Sequence, residues 1–392
     1  MLQCKTKWKR KKLDSICNYI TTGKLDANAM VEGGEYRFYT CAENHYKIDT
    51  YAFEGQSLLI SGNGANVGYI HYYNGKFNAY QRTYVLQNFD ENIFYIKHYL
   101  KAYLKDRIAK EVNAGNIPFI KLNTLTDMNI QYPESKDEQQ KIADILSTCD
   151  EVIEKTEETI EKYRQIKAGM MQDLFTRGLD ENGKLRPTYE QSPNLYKYSE
   201  QLDRYIPKAW DVDKLDNLFT YTVGGDVDKP CFSEYKTSLH KYPIFANAVD
   251  KEGLYGYSSN FVIDRPAITI AGRGVNVGTV FYRDAFFTPI VRLVVAFPNE
   301  CLDILFASIA LSRIKFESEA TGIPQLTVPM VKKYKMAYPI KKDEQHNIYK
   351  YLNKIDLKLR KEEQYLNKYK QIKQGLMKRL LTPPADAEIV EE

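Results

Sequence analysis

Apolar positions along the chain fall into two kinds of pattern. From residue 142 to 174 they recur at alternating spacings of four and three, through Ile142, Leu146, Cys149, Ile153, Thr156, Ile160, Tyr163, Lys167, Met170 and Leu174. That alternation is the 3.5-residue period of a coiled-coil seam, and about 40 residues of it predict a helix roughly 60 Å long. A second seam runs through Ile348, Leu352, Ile355, Leu359, Glu362, Leu366, Tyr369, Lys373, Leu376 and Leu380. Its polar interruptions match the first, Glu362 answering Thr156 and Lys373 answering Lys167. Ahead of each seam, short runs of Tyr, Phe, Val and Ile are broken about every ten residues by Gly, Asn and Asp, which predicts a mostly β segment. One helix is expected there, near "NIFYIKHYLKAYLKDRIAKE".

The matching seams belong to an internal duplication. "YPESKDEQQKI" (132–142) returns as "YPIKKDEQHNI" (338–348), and residues 137–176 and 343–382 agree at 17 of 40 positions. Upstream the repeat is fainter: "WKRKKLDSICNYITTGK" answers "WDVDKLDNLFTYTVGGD", "SGNGANVGYIHYYNGKFNAYQR" answers "AGRGVNVGTVFYRDAFFTPIVR", and "AGNIPFIKL" answers "TGIPQLTV". Neither seam can bury itself on one helix. We expect the two to pair as an antiparallel coiled coil, because the globular segment between them must lead the chain out and back; docking of each on its own domain is the alternative. The resulting layout is a domain over 1–134, a helix over 135–178, a Gly- and Pro-bearing linker over 179–205, a second domain over 206–340, a second helix over 341–382 and a disordered acidic tail over 383–392.

Composition narrows the chemistry. The six cysteines form no CxxC pair and the five histidines show no ligand spacing, which argues against a zinc site or a disulfide framework and points to a reducing, cytoplasmic setting. No apolar run approaches the roughly 18 residues that a membrane span needs. Net charge is only +4, yet six of the eight residues from Lys5 to Lys12 are basic and 31 tyrosines are interspersed with Lys and Arg, a composition suited to phosphate contacts and stacking.

Three stretches resemble catalytic motifs and each has a plainer reading. "GNGANVG" is followed by residues that alternate like a strand, where a nucleotide-binding loop needs a helix, so a tight β-turn is expected. "NIPF" (116–119) lacks the second proline of adenine methyltransferase signatures, and its repeat partner "GIPQ" lacks the polar residue and the aromatic as well. Glu134 and Lys136 imitate a nuclease pair, but the second copy has no matching acid, and Asp137 or Glu138 suits a helix N-terminus. The better candidates are basic and amide side chains able to reach DNA: Lys12, Asn63, Asn66, Arg82 and Lys121 in the first copy, and Arg273, Asn276 and Arg292 in the second. Arg and Asn suit bidentate contacts with guanine and adenine edges, and the change from Asn63 to Arg273 is what a different target would require. For any one of them a structural role is an equal alternative.

The order of these features resembles the specificity subunit of type I restriction-modification systems: a globular segment, "YP" then "DEQ", a long helix closing on "LFT", "GLDENGKLRP", and "IPKAW" opening a second round. The resemblance covers essentially the whole chain, departing at the N-terminus, where "KTKW" stands for the fuller "IPKAW". It implies an α+β fold of two mostly β target-recognition domains, each followed by a long helix, the helices pairing as an antiparallel coiled coil with pseudo-two-fold symmetry. It further implies that each domain reads one half of an asymmetric bipartite site on double-stranded DNA, while the helices set the spacer and dock two methyltransferase subunits. Restriction and motor subunits would join them. The chain itself would be non-catalytic and bind no cofactor, S-adenosylmethionine, ATP and Mg being used by the partner subunits. A stand-alone adenine methyltransferase and a non-enzymatic coiled-coil scaffold are the competing classes.

Overall fold

The computed structural model describes residues 7–111, 119–317 and 324–391. The first copy runs β1 (Lys7–Lys12), β2 (Cys17–Thr22), β3 (Tyr36–Tyr39), β4 (Tyr46–Ile48), β5 (Phe53–Ser61), β6 (Ile70–Ala79), β7 (Thr83–Phe89), α1 (Ile93–Glu111), α2 (Leu122–Thr126), β8 (Asn129–Pro133) and the long α3 (Lys136–Thr176). After β9 (Tyr196–Ser199) and β10 (Arg204–Pro207), the second runs β11 (Trp210–Lys214), α4 (Leu215–Leu218), β12 (Phe219–Val223), β13 (Phe232–Ser233), β14 (Tyr242–Phe245), β15 (Leu254–Ser258), β16 (Ala267–Ile270), β17 (Val280–Arg283), β18 (Thr288–Pro289) and β19 (Val294–Pro298). It closes with α5 (Ile304–Ser312), α6 (Val328–Lys332), β20 (Lys335–Pro339) and the long α7 (Lys342–Leu380), followed by β21 (Glu388–Glu391). These elements form two compact units, residues 1–159 with 362–392 and residues 160–361, so each long helix contributes to both.

In the first unit a six-stranded sheet is ordered β2-β7-β5-β6-β3-β4. Residues 57–61 of β5 are buried without alternation, because Leu58 and Ile60 face α1 while Leu59 packs with Phe77 and Val85 on the other face. Burying each such side chain contributes about 1.5–3 kcal/mol. Asn92 caps α1 by accepting from the backbone N–H groups of Phe94 and Tyr95, both at 3.0 Å. Fully buried Gln139, in the first turn of α3, joins three elements: its Oε1 accepts from Asn92 N at 3.0 Å, and its Nε2 donates to Pro133 O at 2.9 Å and Glu91 Oε2 at 2.8 Å.

The second unit repeats this plan with one break. The order β12-β19-β16-β17 matches β2-β7-β5-β6, but the chain equivalent to continuous β6 is divided into β17 and β18, and β18 joins a separate sheet β13-β15-β14-β18. Gln345 repeats the role of Gln139, accepting from Asp303 N at 2.7 Å and donating to Pro339 O at 2.8 Å and Cys301 O at 2.9 Å. The twice-written "DEQ" is therefore the joint that fixes strand end, short helix and long helix together. Arg283 is buried beneath this unit's sheets, stacked 3.8 Å from the Phe245 ring and donating to Thr269 Oγ1 at 3.0 Å; burial lowers its pKa to about 10, with Glu252 opposing the shift.

Both seams are occupied. Every seam position is buried or half-buried. Within the first unit Ile142 and Leu146 enter the domain core, where Leu376 and Leu380 also pack, and the ion pairs Asp150–Lys373 and Glu157–Lys370 fix an antiparallel register. Within the second unit Met170 and Leu174 lie with Ile348 and Leu352, and Lys167 meets Asp356 at 2.5 Å. The alternatives of helix pairing and docking on the domain thus coexist: seam ends join the β-domain cores, and ion pairs tie the two helices together within each unit. Of the polar interruptions the lysines are explained, each pairing with an aspartate of the facing helix, and Thr156 satisfies its hydroxyl on its own helix at Val152 O.

Two expectations need correction. The tail is not disordered along its length: Glu388–Glu391 form β21, parallel to β1, with Lys7 opposite Glu388 and Arg10 opposite Glu391. An acidic strand completes a basic edge, and Arg10 bonds Glu391 at 3.3 Å. The 179–205 segment is not a free linker either. Buried Leu179 bridges Leu185, Arg186 forms a two-point ion pair with buried Glu344 at 2.6 and 2.8 Å, and β9 pairs with β10.

Candidate nucleic-acid interface

The glycine strings join β5 to β6 and β16 to β17 as hairpin tips. In the first, Gly68 N donates to Ser61 O at 2.8 Å, Val67 N to Gly64 O at 3.2 Å and Tyr69 N to Asn66 O at 3.0 Å. In the second, Gly278 N donates to Ala271 O at 2.8 Å, Val277 N to Gly274 O at 3.3 Å and Thr279 N to Asn276 O at 3.1 Å. Gly64, Gly68, Gly274 and Gly278 have φ of +79°, +80°, +86° and +85°, the left-handed region that excludes most other residues. With a strand on both sides and no helix N-terminus behind it, neither tip fits a nucleotide phosphate.

Around each tip one backbone bond recurs within frames that otherwise differ. In the first unit Gly62 N donates to Arg82 O at 2.8 Å, Ile120 N to Gly62 O at 2.7 Å, and Tyr84 Oη to Ile120 O at 2.9 Å. These bonds enclose a recess of about 280 Å³ lined by Thr22, Gly62, Gln81, Arg82, Tyr84 and Ile120. In the second unit Leu326 N donates to Gly272 O at 2.9 Å, and the recess, about 290 Å³, is lined by Val223, Gly272, Arg273, Arg292, Val294 and Leu326 among others. The bond from Ile120 N or Leu326 N to the glycine carbonyl recurs in both copies, whereas Gly62 N donates to Arg82 O and Gly272 N to the Asn247 side chain, and the lining differs.

Most of the expected side chains gather here. Asn63 bridges Phe119, Arg82 is exposed at the recess, and exposed Lys121 lies 5.9 Å from the Phe119 ring. Asn66 serves the frame, its Nδ2 donating to Cys41 O at 3.2 Å, while Cys41 Sγ donates to Arg82 O at 3.4 Å. Exposed Arg273 and Arg292 line the second recess, and Asn276 sits in its tip. Lys12 does not line the recess: its ammonium is paired with Asp127 at 2.9 Å, and that hydrogen bond and charge raise its pKa. Of "NIPF", residues 116–118 lie outside the described residues, as do Gly322 and Ile323 of "GIPQ"; Phe119 itself is half exposed.

Sequence reasoning missed Asn247, equivalent to Cys41 by strand register. Its Oδ1 accepts from Gly272 N at 2.8 Å and its Nδ2 donates to Val291 O at 2.6 Å, tying the tip to the neighbouring turn. That turn holds Val291 and Arg292 at φ +55° and +58°, with Leu293 N donating to Ile290 O at 3.1 Å. No local signal in "FANAVD" marks such a contact. Among the described residues no cluster of His, Cys, Asp and Glu could hold a metal ion, and no helix is long and apolar enough to cross a membrane.

Comparison with known proteins agrees with this organisation. The family model described as the type I restriction modification DNA specificity domain matches residues 5–162 and 207–371, once per copy. The type I restriction enzyme EcoDI specificity subunit of Escherichia coli is 35% identical over 247 residues, 60% of this chain, which spans about half (53%) of that protein. A Mycoplasma pneumoniae protein named as a type I specificity subunit is 29% identical over 342 residues, covering 85% of each chain. The crystal structure of a type I restriction-modification S subunit from M. genitalium shares the fold, with a TM-score of 0.69 at 19% identity over 98% of this chain and 99% of that one. Duplication, paired glycine tips and a family match falling on both copies lead to one conclusion: the chain belongs to the type I restriction-modification DNA specificity family.

Proposed function

We propose that this chain reads DNA for a type I restriction-modification assembly, each β-rich domain recognising one half of an asymmetric bipartite site. The observation that carries the proposal is the repeated recess: a glycine tip at matching positions, one recurring backbone bond and two different linings, with Thr22, Tyr84 and Ile120 in one copy and Val223, Val294 and Leu326 in the other. Such a pair suits two unlike half-sites. Arg82 and Arg292 stand at the recesses as side chains suited to base edges, and Lys121 and Arg273 add positive charge beside them. The long helices set the spacer and dock two methyltransferase subunits. Those partners use S-adenosylmethionine to methylate adenine, and an ATP- and Mg-dependent motor nuclease joins the complex. The chain itself contributes recognition rather than catalysis, in the cytoplasm.

The test is a base-resolution map of adenine methylation in cells carrying the cognate methyltransferase subunit, with and without this chain. Methylation of a split motif only in its presence supports the reading. Unchanged methylation favours a scaffold role, and methylation by the chain without a partner would overturn the non-catalytic assignment.

A further inference from the structure

The tip of the second glycine string carries an anomaly that its backbone role does not require. Val275 is 95% exposed, while Val277, two residues on, packs against the domain core. The tip thus has an inward place for an apolar side chain, and Val275 is not in it. Full burial of a valine is favourable by about 1.5–3 kcal/mol, none of which Val275 realises in the isolated fold. Its neighbours on the tip are polar: exposed Arg273 and half-buried Asn276 flank it in sequence. Gly274, between Arg273 and Val275, has nothing within 4 Å of where a Cβ would stand, so the front of the tip is open. The first copy places exposed Ala65 at the same point, between Asn63 and Asn66.

An exposed apolar group flanked by a guanidinium and an amide matches one surface closely. The major-groove edge of a T·A pair offers the thymine 5-methyl beside hydrogen-bonding groups, and neighbouring guanine edges accept two bonds from Arg. Resting on the DNA-reading role proposed above, we infer that Val275 is a specificity residue of the second domain, contacting the 5-methyl group of one thymine while Arg273 engages an adjacent base pair. The contact is a packing contact, and no bond is made or broken.

The experiment uses the full chain with its methyltransferase subunits and a set of duplexes carrying the methylated motif, in which each thymine is replaced singly by uracil, which lacks only the methyl. Loss of one packed methyl lowers affinity about four-fold. The expected result is a loss of that size at one thymine of one half-site for the native chain, and no loss at that thymine for Val275→Ala, whose exposed position leaves folding intact. If no uracil substitution weakens binding, or if Val275→Ala keeps the same sensitivity, the inference is wrong. Specific binding of the native motif is measured alongside: its absence would sink the DNA-reading role itself, whereas specific binding with flat uracil sensitivity sinks only the assignment of Val275.

Discussion

Gln345 makes three hydrogen bonds from a fully buried site, to Asp303 N, Pro339 O and Cys301 O. Gln345→Ala removes one acceptor and two donors at once, and unsatisfied buried groups cost about 1–3 kcal/mol each before relaxation. A lowered denaturant midpoint of the second unit by roughly 2–4 kcal/mol is expected; a change under 1 kcal/mol would show that water replaces the amide. Val291 and Arg292 give the opposite sign. Two non-glycine residues at positive φ store about 1 kcal/mol each, and Asn-Gly is the pair such a turn prefers. Val291→Asn with Arg292→Gly should therefore raise the melting temperature while weakening one half-site only. At this scale the sequence was partly legible. The repeat placed Asn63, Arg82, Arg273 and Arg292 at matching positions, and the structure sets them at the tips and recesses, whereas Asn247, Glu344 and Arg283 act through partners 25, 158 and 14 positions away, which no local pattern announces.

At the scale of elements, the long helices were legible because a heptad is a local pattern. The lysine breaks in it were not, since their answer lies on the facing helix. Lys373 and Lys101 both reach Asp150; burial raises the pKa of that carboxyl, but the two lysines outweigh it and leave a net lowering. Beside it, His98 of α1 is fully buried against Ser147 of α3, and burial drives its pKa down to about 4, with Asp150 opposing and Lys101, Lys97 and Lys373 adding to the fall. A lowered folded-state pKa means that the unfolded chain takes up its proton first as pH falls. The His98 contribution is thus intact above about 6.5 and is lost as pH drops toward 4. A melting profile of the native chain should slope across that window, and His98→Gln should flatten it. The Asp150 contribution is lost only below the ordinary carboxylate value, about 3.9. The strand β21 is tested by removing residues 384–391: a tail would be silent, whereas loss of the partner of β1 should lower the stability of the first unit.

For the whole molecule, duplication was the most legible fact, and it carried fold class and family together. What it could not convey was how the copies diverge, such as β6 remaining continuous while its counterpart divides into β17 and β18. If DNA is read through exposed Arg and Lys, the logarithm of the affinity should fall linearly with the logarithm of salt concentration. Arg82→Ala and Arg292→Ala should each relax discrimination at one half-site by about 1–3 kcal/mol, and equal weakening on unrelated sequences would reduce them to phosphate contacts. The frame around the tips is held partly by the main chain, with Gly62 N to Arg82 O and with Ile120 N and Leu326 N to Gly62 O and Gly272 O, and partly by the side chains of Asn66 and Asn247. Both tips end in Asn, at Asn66 and Asn276, and the frame's other side-chain partner, Asn247, lies outside the tip, so the four residues Asn63–Asn66 could be exchanged for Arg273–Asn276 with the frame's bonds kept. A molecule built this way separates vocabulary from grammar, and new targets become reachable by short segment grafts or by recombination between its own halves.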